Sequence, residues 1–226
     1  DLKHRLEVMS LLRTFCRERS ITIVASLHDV DIAAKVSDVV ALVKDGAVSP
    51  WGEPERILSG DAVSRLYELD AASYHRTLGA LEIRNQLQGE GVFVVAGCGT
   101  GSSLFRLFSK HALPVATGIL HDNDIHRHVA AATGARTVTE TAMKPFSEQR
   151  LRDAMEIARD TPLMVDTGFA VSEQNRMNVD LIRFGLDNRI RVYSLRDRGQ
   201  CTELFGEKSA GILHFDNDID LVDAMR

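Results

Sequence analysis

The sequence of 226 residues predicts an α/β protein whose second part is a doubly wound, mostly parallel sheet with helices on both faces. Three observations predict it. From Val92 onward, short β-branched runs alternate with stretches of helical character. The first run ends in a glycine-rich turn that opens a helix. Polar residues then gather where the runs end, the side of such sheets on which ligands are held.

Along the chain, apolar residues recur at Leu6, Met9, Leu12 and Phe15, widened by Val8, Leu11 and Cys16. That is amphipathic spacing, and it predicts a helix over 2–19 with this face buried. A β-branched run at 21–27 predicts a strand ending at His28-Asp29, and helix resumes over 31–36. Residues 39–43 read as a buried strand, Lys44-Asp45-Gly46 as a tight turn and 47–51 as the returning strand of a hairpin. Pro54-Glu55-Arg56 opens a short helix, and Leu58-Ser59-Gly60-Asp61 reads as a helix-ending turn. Between about 69 and 90 the pattern weakens around Gly79, Gly89 and Gly91. A boundary there gives two domains, 1–80 and 81–226. Beyond it, strands are expected at 92–96, 115–120, 135–138, 163–166 and 190–195, and helices at 102–111, 124–133, 148–159 and 173–185.

The composition excludes several classes. A net charge of −5 without clustered Lys and Arg argues against nucleic acid. No apolar run approaches the roughly 18–20 residues needed to span a bilayer, and Asp1-Leu2-Lys3-His4-Arg5 is not a signal peptide. Cys16, Cys98 and Cys201 form no C-x-x-C pair, which fits a reducing cytosol. Asp1 leads directly into helical sequence, so the chain is expected to be a piece of a longer protein.

In the first domain, Ser26-Leu27-His28-Asp29-Val30-Asp31-Ile32-Ala33-Ala34 is followed by Ser37-Asp38-Val39-Val40-Ala41-Leu42-Val43-Lys44-Asp45-Gly46 and then by Gly52-Glu53-Pro54-Glu55-Arg56-Ile57-Leu58. This ordered series resembles the C-terminal third of ABC transporter ATPases, most closely those serving iron-siderophore, haem and cobalamin importers. The resemblance implies that Asp1 and the helix after it are the D-loop region at a dimer interface. It implies that His28, alone readable as a capping or loop histidine, is the switch histidine that senses the γ-phosphate. The full-length protein would then bind ATP and Mg²⁺ between two copies of the ATPase subunit and act on permease subunits. It would be cytoplasmic, peripheral on the inner face of the membrane. The string G-x-x-x-x-G-K-[ST], the signature motif and the Walker B carboxylates are absent from this sequence, so hydrolysis by these residues alone is not expected.

In the second domain, Gly97, Gly99, Thr100 and Gly101 lie in a strand-to-helix turn where backbone amides and a helix N-terminus could hold a phosphate or carboxylate. The pattern lacks the full dinucleotide fingerprint and an acidic residue ending the next strand, which disfavours NAD; a turn that merely needs glycine remains the alternative. His121, Asn123 and Asp124 end the next strand and are expected to face this loop across the sheet's crevice. Three histidines, His121, His126 and His128, and two aspartates, Asp122 and Asp124, invite a metal reading, against which stands helix N-capping followed by an exposed helical turn over 124–128. Asp166, Asn175 and Arg196 complete a predicted ligand pocket, Arg196 either pairing with an anion or lying on the surface. Cys98 is either a helix-activated thiol or a small packed side chain.

The Rossmann-like extension, with Ala116-Thr117-Gly118-Ile119-Leu120-His121, looks similar to one carried by some ATPases of the iron-complex and cobalamin type. A small anionic ligand that reports substrate status is the role inferred for it. Two other readings stand beside it: an enzyme acting on a phosphorylated substrate, and a corrinoid or metal-chelate binding module with His121 as axial ligand.

Overall fold

The computed structural model describes residues 2–68, 72–75, 77–87 and 91–225, with the backbone alone at 2 and 73. Asp1, expected at a dimer interface, lies outside the described residues. The chain divides into two compact units, Asp1–Leu81 and Glu82–Arg226.

The first unit opens with α1 (Leu2–Arg19), as its apolar period predicts. The stripe, however, is only partly covered: Leu6, Val8, Leu11 and Phe15 are exposed, while Met9, Leu12 and Cys16 are half-buried. Arg13 donates to the Val36 carbonyl at 2.7 Å and Arg5 pairs with Asp29 at 3.2 Å, contacts that tether the helix. Residues 21–27 form no strand, contrary to their β-branched run. Ile21, Ile23 and Val24 are exposed, and among the described residues no strand lies alongside to complete a ladder.

Helix α2 (Val30–Val36) starts where Asp29 accepts the Ile32 amide at 3.0 Å. The strand expected at 39–43 reduces to a bridge from Val40 to Gly52 and to β1 (Val43–Lys44), with Val43 exposed rather than buried. The hairpin itself forms. β1 pairs antiparallel with β2 (Ala47–Val48), and Asp45 and Gly46 take positive φ of 50° and 77°, the turn whose twist matches the strands. Pro54 sits in the first turn of α3 (Pro54–Ile57). Leu58-Ser59-Gly60-Asp61 ends α3, whose C-cap is Leu58, and also begins the next helix, because the Ser59 hydroxyl accepts the Ala62 amide and caps α4 (Gly60–Tyr67). Leu58 and Val63 form a small core with Tyr74 of β3 (Ala72–His75), which pairs with β4 (Ala80–Ile83).

The second unit alternates strand and helix: β5 (Val92–Val95), α5 (Ser102–Lys110), β6 (Val115–His121), α6 (Ile125–Ala132), β7 (Arg136–Glu140), α7 (Glu148–Arg159), β8 (Leu163–Asp166), α8 (Met177–Asp187) and β9 (Arg191–Ser194). Then follow α9 (Arg198–Phe205), a 3-10 turn, β10 (Ile212–His214) and α10 (Asp218–Asp223). The six strands form one parallel sheet in the order β10-β9-β8-β5-β6-β7. Central strands β5 and β8 are buried along their whole length, which is why they read as unbroken apolar runs, whereas edge strand β7 carries Arg136, Thr137, Thr139 and Glu140. Helices α5 and α6 pack together, as do α7 and α8, and cover the sheet. The fold class is thus α/β with a doubly wound parallel sheet.

Two differences from expectation have local causes. Helix α8 begins at Met177 and not near 173, because Asn175 captures the backbone before it: its carbonyl oxygen accepts the Ser172 amide and its amide donates to the Ala170 carbonyl, both at 2.7 Å. Beyond Leu195, where no element was expected, side-chain caps from Asp197 and Asn217 start α9 and α10. Among the described residues no helix is long and apolar enough to cross a membrane.

Candidate functional site

The strand order fixes where a crevice can open. The chain steps from β5 to β6 to β7, then returns to place β8 on the opposite flank of β5. Loops leaving β5 and β8 therefore diverge, and their carboxyl ends form the topological switch point at which such sheets hold ligands. Thr100 and Thr167 span it, their hydroxyl oxygens 2.7 Å apart. The glycine loop on its β5 side has positive φ at Gly97 (140°), Cys98 (48°), Gly99 (95°) and Gly101 (108°). Gly101 has no alternative, since a Cβ there would stand 2.7 Å from that of Ala96.

The predicted residues divide between this crevice and other tasks. Gly97, Gly99, Thr100 and Gly101 line it. Asn175 is buried and its amide reaches the Cys98 sulfur at 3.3 Å, so it also borders the loop. Asp124 caps α6, one oxygen accepting the His126 amide at 2.9 Å and the other the Cys98 amide at 3.3 Å. Asn123 is exposed in the preceding turn. His121 turns away: Nε2 donates to the Lys144 carbonyl at 2.8 Å, and the ring packs on Phe146 with centroids 4.7 Å apart. It serves the 141–147 loop after β7.

Asp166 and Arg196 are engaged with each other. Arg196 Nε donates to Asp166 Oδ2 at 3.0 Å and Nη2 to Oδ1 at 3.2 Å, and Nη2 also reaches the Phe169 carbonyl at 2.9 Å. The Ser194 hydroxyl and the Gly168 amide add further bonds to the carboxylate. Both side chains are buried, and the guanidinium lies 4.9 Å from the centre of the Phe169 ring. Neither the ligand-pairing arginine nor the surface arginine foreseen from the sequence describes this; the pair ties the ends of β8 and β9 together.

Sequence reasoning missed the roles of three residues, Thr167, His126 and Glu82. Thr167 follows Asp166, and only the strand order brings it to Thr100. His126 on α6 places Nδ1 2.6 Å from the Ser102 hydroxyl and 3.2 Å from the Ser102 amide; burial, assisted by Arg106, holds its pKa below the usual imidazole range against the pull of Asp124. Glu82, buried, binds Arg106 of α5 through both carboxylate oxygens. The signal for His126 was its place two residues after the capping Asp124, but the face it presents was not readable.

In the first unit, His28 is exposed at the end of segment 21–27 and precedes the cap of α2. Its carbonyl accepts the Tyr67 hydroxyl at 2.9 Å. With Leu27, Asp29, Tyr67 and Tyr74 it lines an open cavity of about 680 Å³ within that unit.

The MJ0874 family matches residues 115–221, a little under half of the chain. An uncharacterized ABC transporter ATP-binding protein of Methanocaldococcus jannaschii is 35% identical over 53% of this chain and 42% of its own length. The cobalamin import ATP-binding protein BtuD of Halobacterium salinarum is 25% identical over 68% of this chain and 39% of its own. The hemin import ATP-binding protein HmuV of Rhodopseudomonas palustris is 28% identical over 38% and 33%. A molybdenum cofactor binding protein from Rippkaea orientalis superposes with a TM-score of 0.43 at 14% identity, over 62% of this chain and 99% of that one. The chain spans about two fifths of the length of the first two relatives. Its relatives are thus named ATP-binding proteins of ABC transporters, importers of cobalamin and hemin among them, at modest identity and over part of the chain.

Proposed function

We propose that this chain is part of the ATP-binding, energy-coupling subunit of an ABC importer for a metal chelate of the iron-siderophore, haem or cobalamin kind, and that its second unit holds a small anionic ligand. The observation that carries the reading is the ordered series around His28, from Ser26 to Leu58, in a chain whose relatives bear import ATP-binding names. His28 would sense the γ-phosphate of MgATP bound by the whole subunit. Two copies would close head to tail on the nucleotides, on the cytoplasmic face of the membrane, and drive the permease subunits. Asp1 would lie in that dimer interface.

The division of labour between two units supports a sensing role for the second. Its crevice offers a glycine-rich strand-to-helix loop, whose backbone suits a phosphate or carboxylate. It also offers the Thr100 hydroxyl, whose proton has the Gly97 carbonyl and the Thr167 oxygen as alternatives while the Thr167 hydroxyl donates to the Val95 carbonyl. The metal and axial-ligand readings draw no support, since His121 Nε2 and both Asp124 oxygens already have backbone partners.

The test is MgATP hydrolysis by the full-length gene product. His28→Ala is expected to lower turnover by about 100-fold, the scale of a positioned group acting on the attacking water, while leaving ATP affinity within about threefold. Equal turnover of the two proteins would refute the assignment of His28.

A further inference from the structure

Helix α5 begins without a side-chain cap of its own. Gly101 stands at its N-cap position with φ of 108° and has no group to offer, which leaves the first amides of the helix in search of acceptors. His126, from the neighbouring helix, fills the place. Its Nδ1 lies 3.2 Å from the Ser102 amide and 2.6 Å from the Ser102 hydroxyl. A backbone amide can only donate, so Nδ1 must carry a lone pair and the ring proton must sit on Nε2. The ring that caps α5 is therefore neutral.

The same turn of α6 grips the glycine loop at its other end, where Asp124 accepts the Cys98 amide. Loop 97–102 is thus held to α6 at two points, one by a carboxylate and one by an imidazole. Protonating Nδ1 would replace an acceptor by a donor, aimed at an amide and at the positive end of the α5 dipole. The serine hydroxyl can turn to accept; the amide cannot. Two charged side chains act on the ring: Asp124, at the cap of its own helix, favours the imidazolium, and Arg106 of α5 opposes it while bound to Glu82 of β4. Burial adds to the opposition, His126 being 8% exposed. A lone pair already shared by two donors is also a poor general base, which argues for holding and against catalysis.

We infer that His126 is a proton-sensitive latch: neutral, it pins the glycine loop and the first turn of α5 to α6, and protonated, it lets them go. The latch stands whether or not the crevice binds an anion. Because the fold favours the neutral ring, the sign is fixed. Pinning is complete at and above neutral pH and is lost as pH falls through the ring's folded pKa, below its ordinary value.

Amide hydrogen exchange on the chain of 226 residues tests it, read at pH 7.5, 6.5 and 5.5 and corrected for intrinsic exchange. The wild type is expected to lose up to about tenfold protection per pH unit at the Ser102 amide as pH falls from the ring's ordinary pKa towards its lowered folded one, and to level off below that. The α7 amides should hold steady. His126→Gln, which can still accept but does not titrate, should show no such fall. Constant wild-type protection, or the same fall in the variant, overturns the latch. Should the variant not fold, the ring nitrogens of wild-type His126 decide by NMR. An unprotonated Nδ1 at pH 7.5 that titrates in step with the Ser102 amide supports the latch, and a proton on Nδ1 or titration out of step overturns it.

Discussion

Arg196 Nε and Asp166 Oδ2 meet at 3.0 Å at the ends of adjacent strands β9 and β8, with both side chains inside the protein. A charge taken out of water needs its counter-charge and further hydrogen bonds, and here Ser194, Gly168 and the Phe169 carbonyl supply them. The pair ties the ends of β8 and β9 together. Arg196→Ala is expected to cost about 3–5 kcal/mol, because it strands a buried carboxylate. Urea unfolding checks this, and a loss below about 1 kcal/mol, the value of an exposed pair, would contradict it.

Glu82 and Arg106 differ in exposure, the carboxylate side chain at 5% and the guanidinium at 49%. Removing the arginine leaves a buried anion unpaired, whereas removing the glutamate leaves a cation that water can reach. Arg106→Ala should therefore destabilise more than Glu82→Gln, by about 1 kcal/mol or more. Equal losses in parallel denaturant melts would count against a desolvated Glu82.

Gly101 combines a φ of 108° with the close approach of Ala96. Gly101→Ala should cost about 1–3 kcal/mol through backbone strain and overlap. A fall in Tm of several degrees is expected on that scale, with Gly206→Ala as control, since open space surrounds that residue although its φ is also positive. A smaller loss at Gly101 than at Gly206 would contradict the geometry.

The cysteines should separate by reactivity. Cys98 is exposed, whereas Cys201 is buried and burial pushes its thiol pKa up, partly offset by its bond to Ser194. Alkylation under native conditions, followed by mass spectrometry, should modify Cys98 at least about tenfold faster than Cys201. Comparable rates would mean that the Cys201 environment opens readily.

Much of the second unit was legible because each segment carried its own period. Helix α7 and strand β8 fall on the expected residues, as unbroken apolar runs are what strands covered on both faces require. What failed depended on neighbours. Residues 21–27 have strand propensity but nothing to pair with, while β10 has three residues and exists because β9 offers an edge. Strand order is absent from periodicity, so the expected pocket joined the ends of several strands with His121 facing the glycine loop, whereas the order sets β8 beside β5, brings Thr167 to Thr100 and leaves His121 on the 141–147 loop. Arg196 shows the same gap: its residue type suited a ligand, but burial against Asp166 follows from which strands lie side by side.

Calorimetric titration of the chain of 226 residues with inorganic phosphate, a nucleoside monophosphate and a small dicarboxylate tests most directly whether the ends of β5 and β8 hold an anion. Saturable binding of at least one of them is predicted. No binding of any of the three would contradict it.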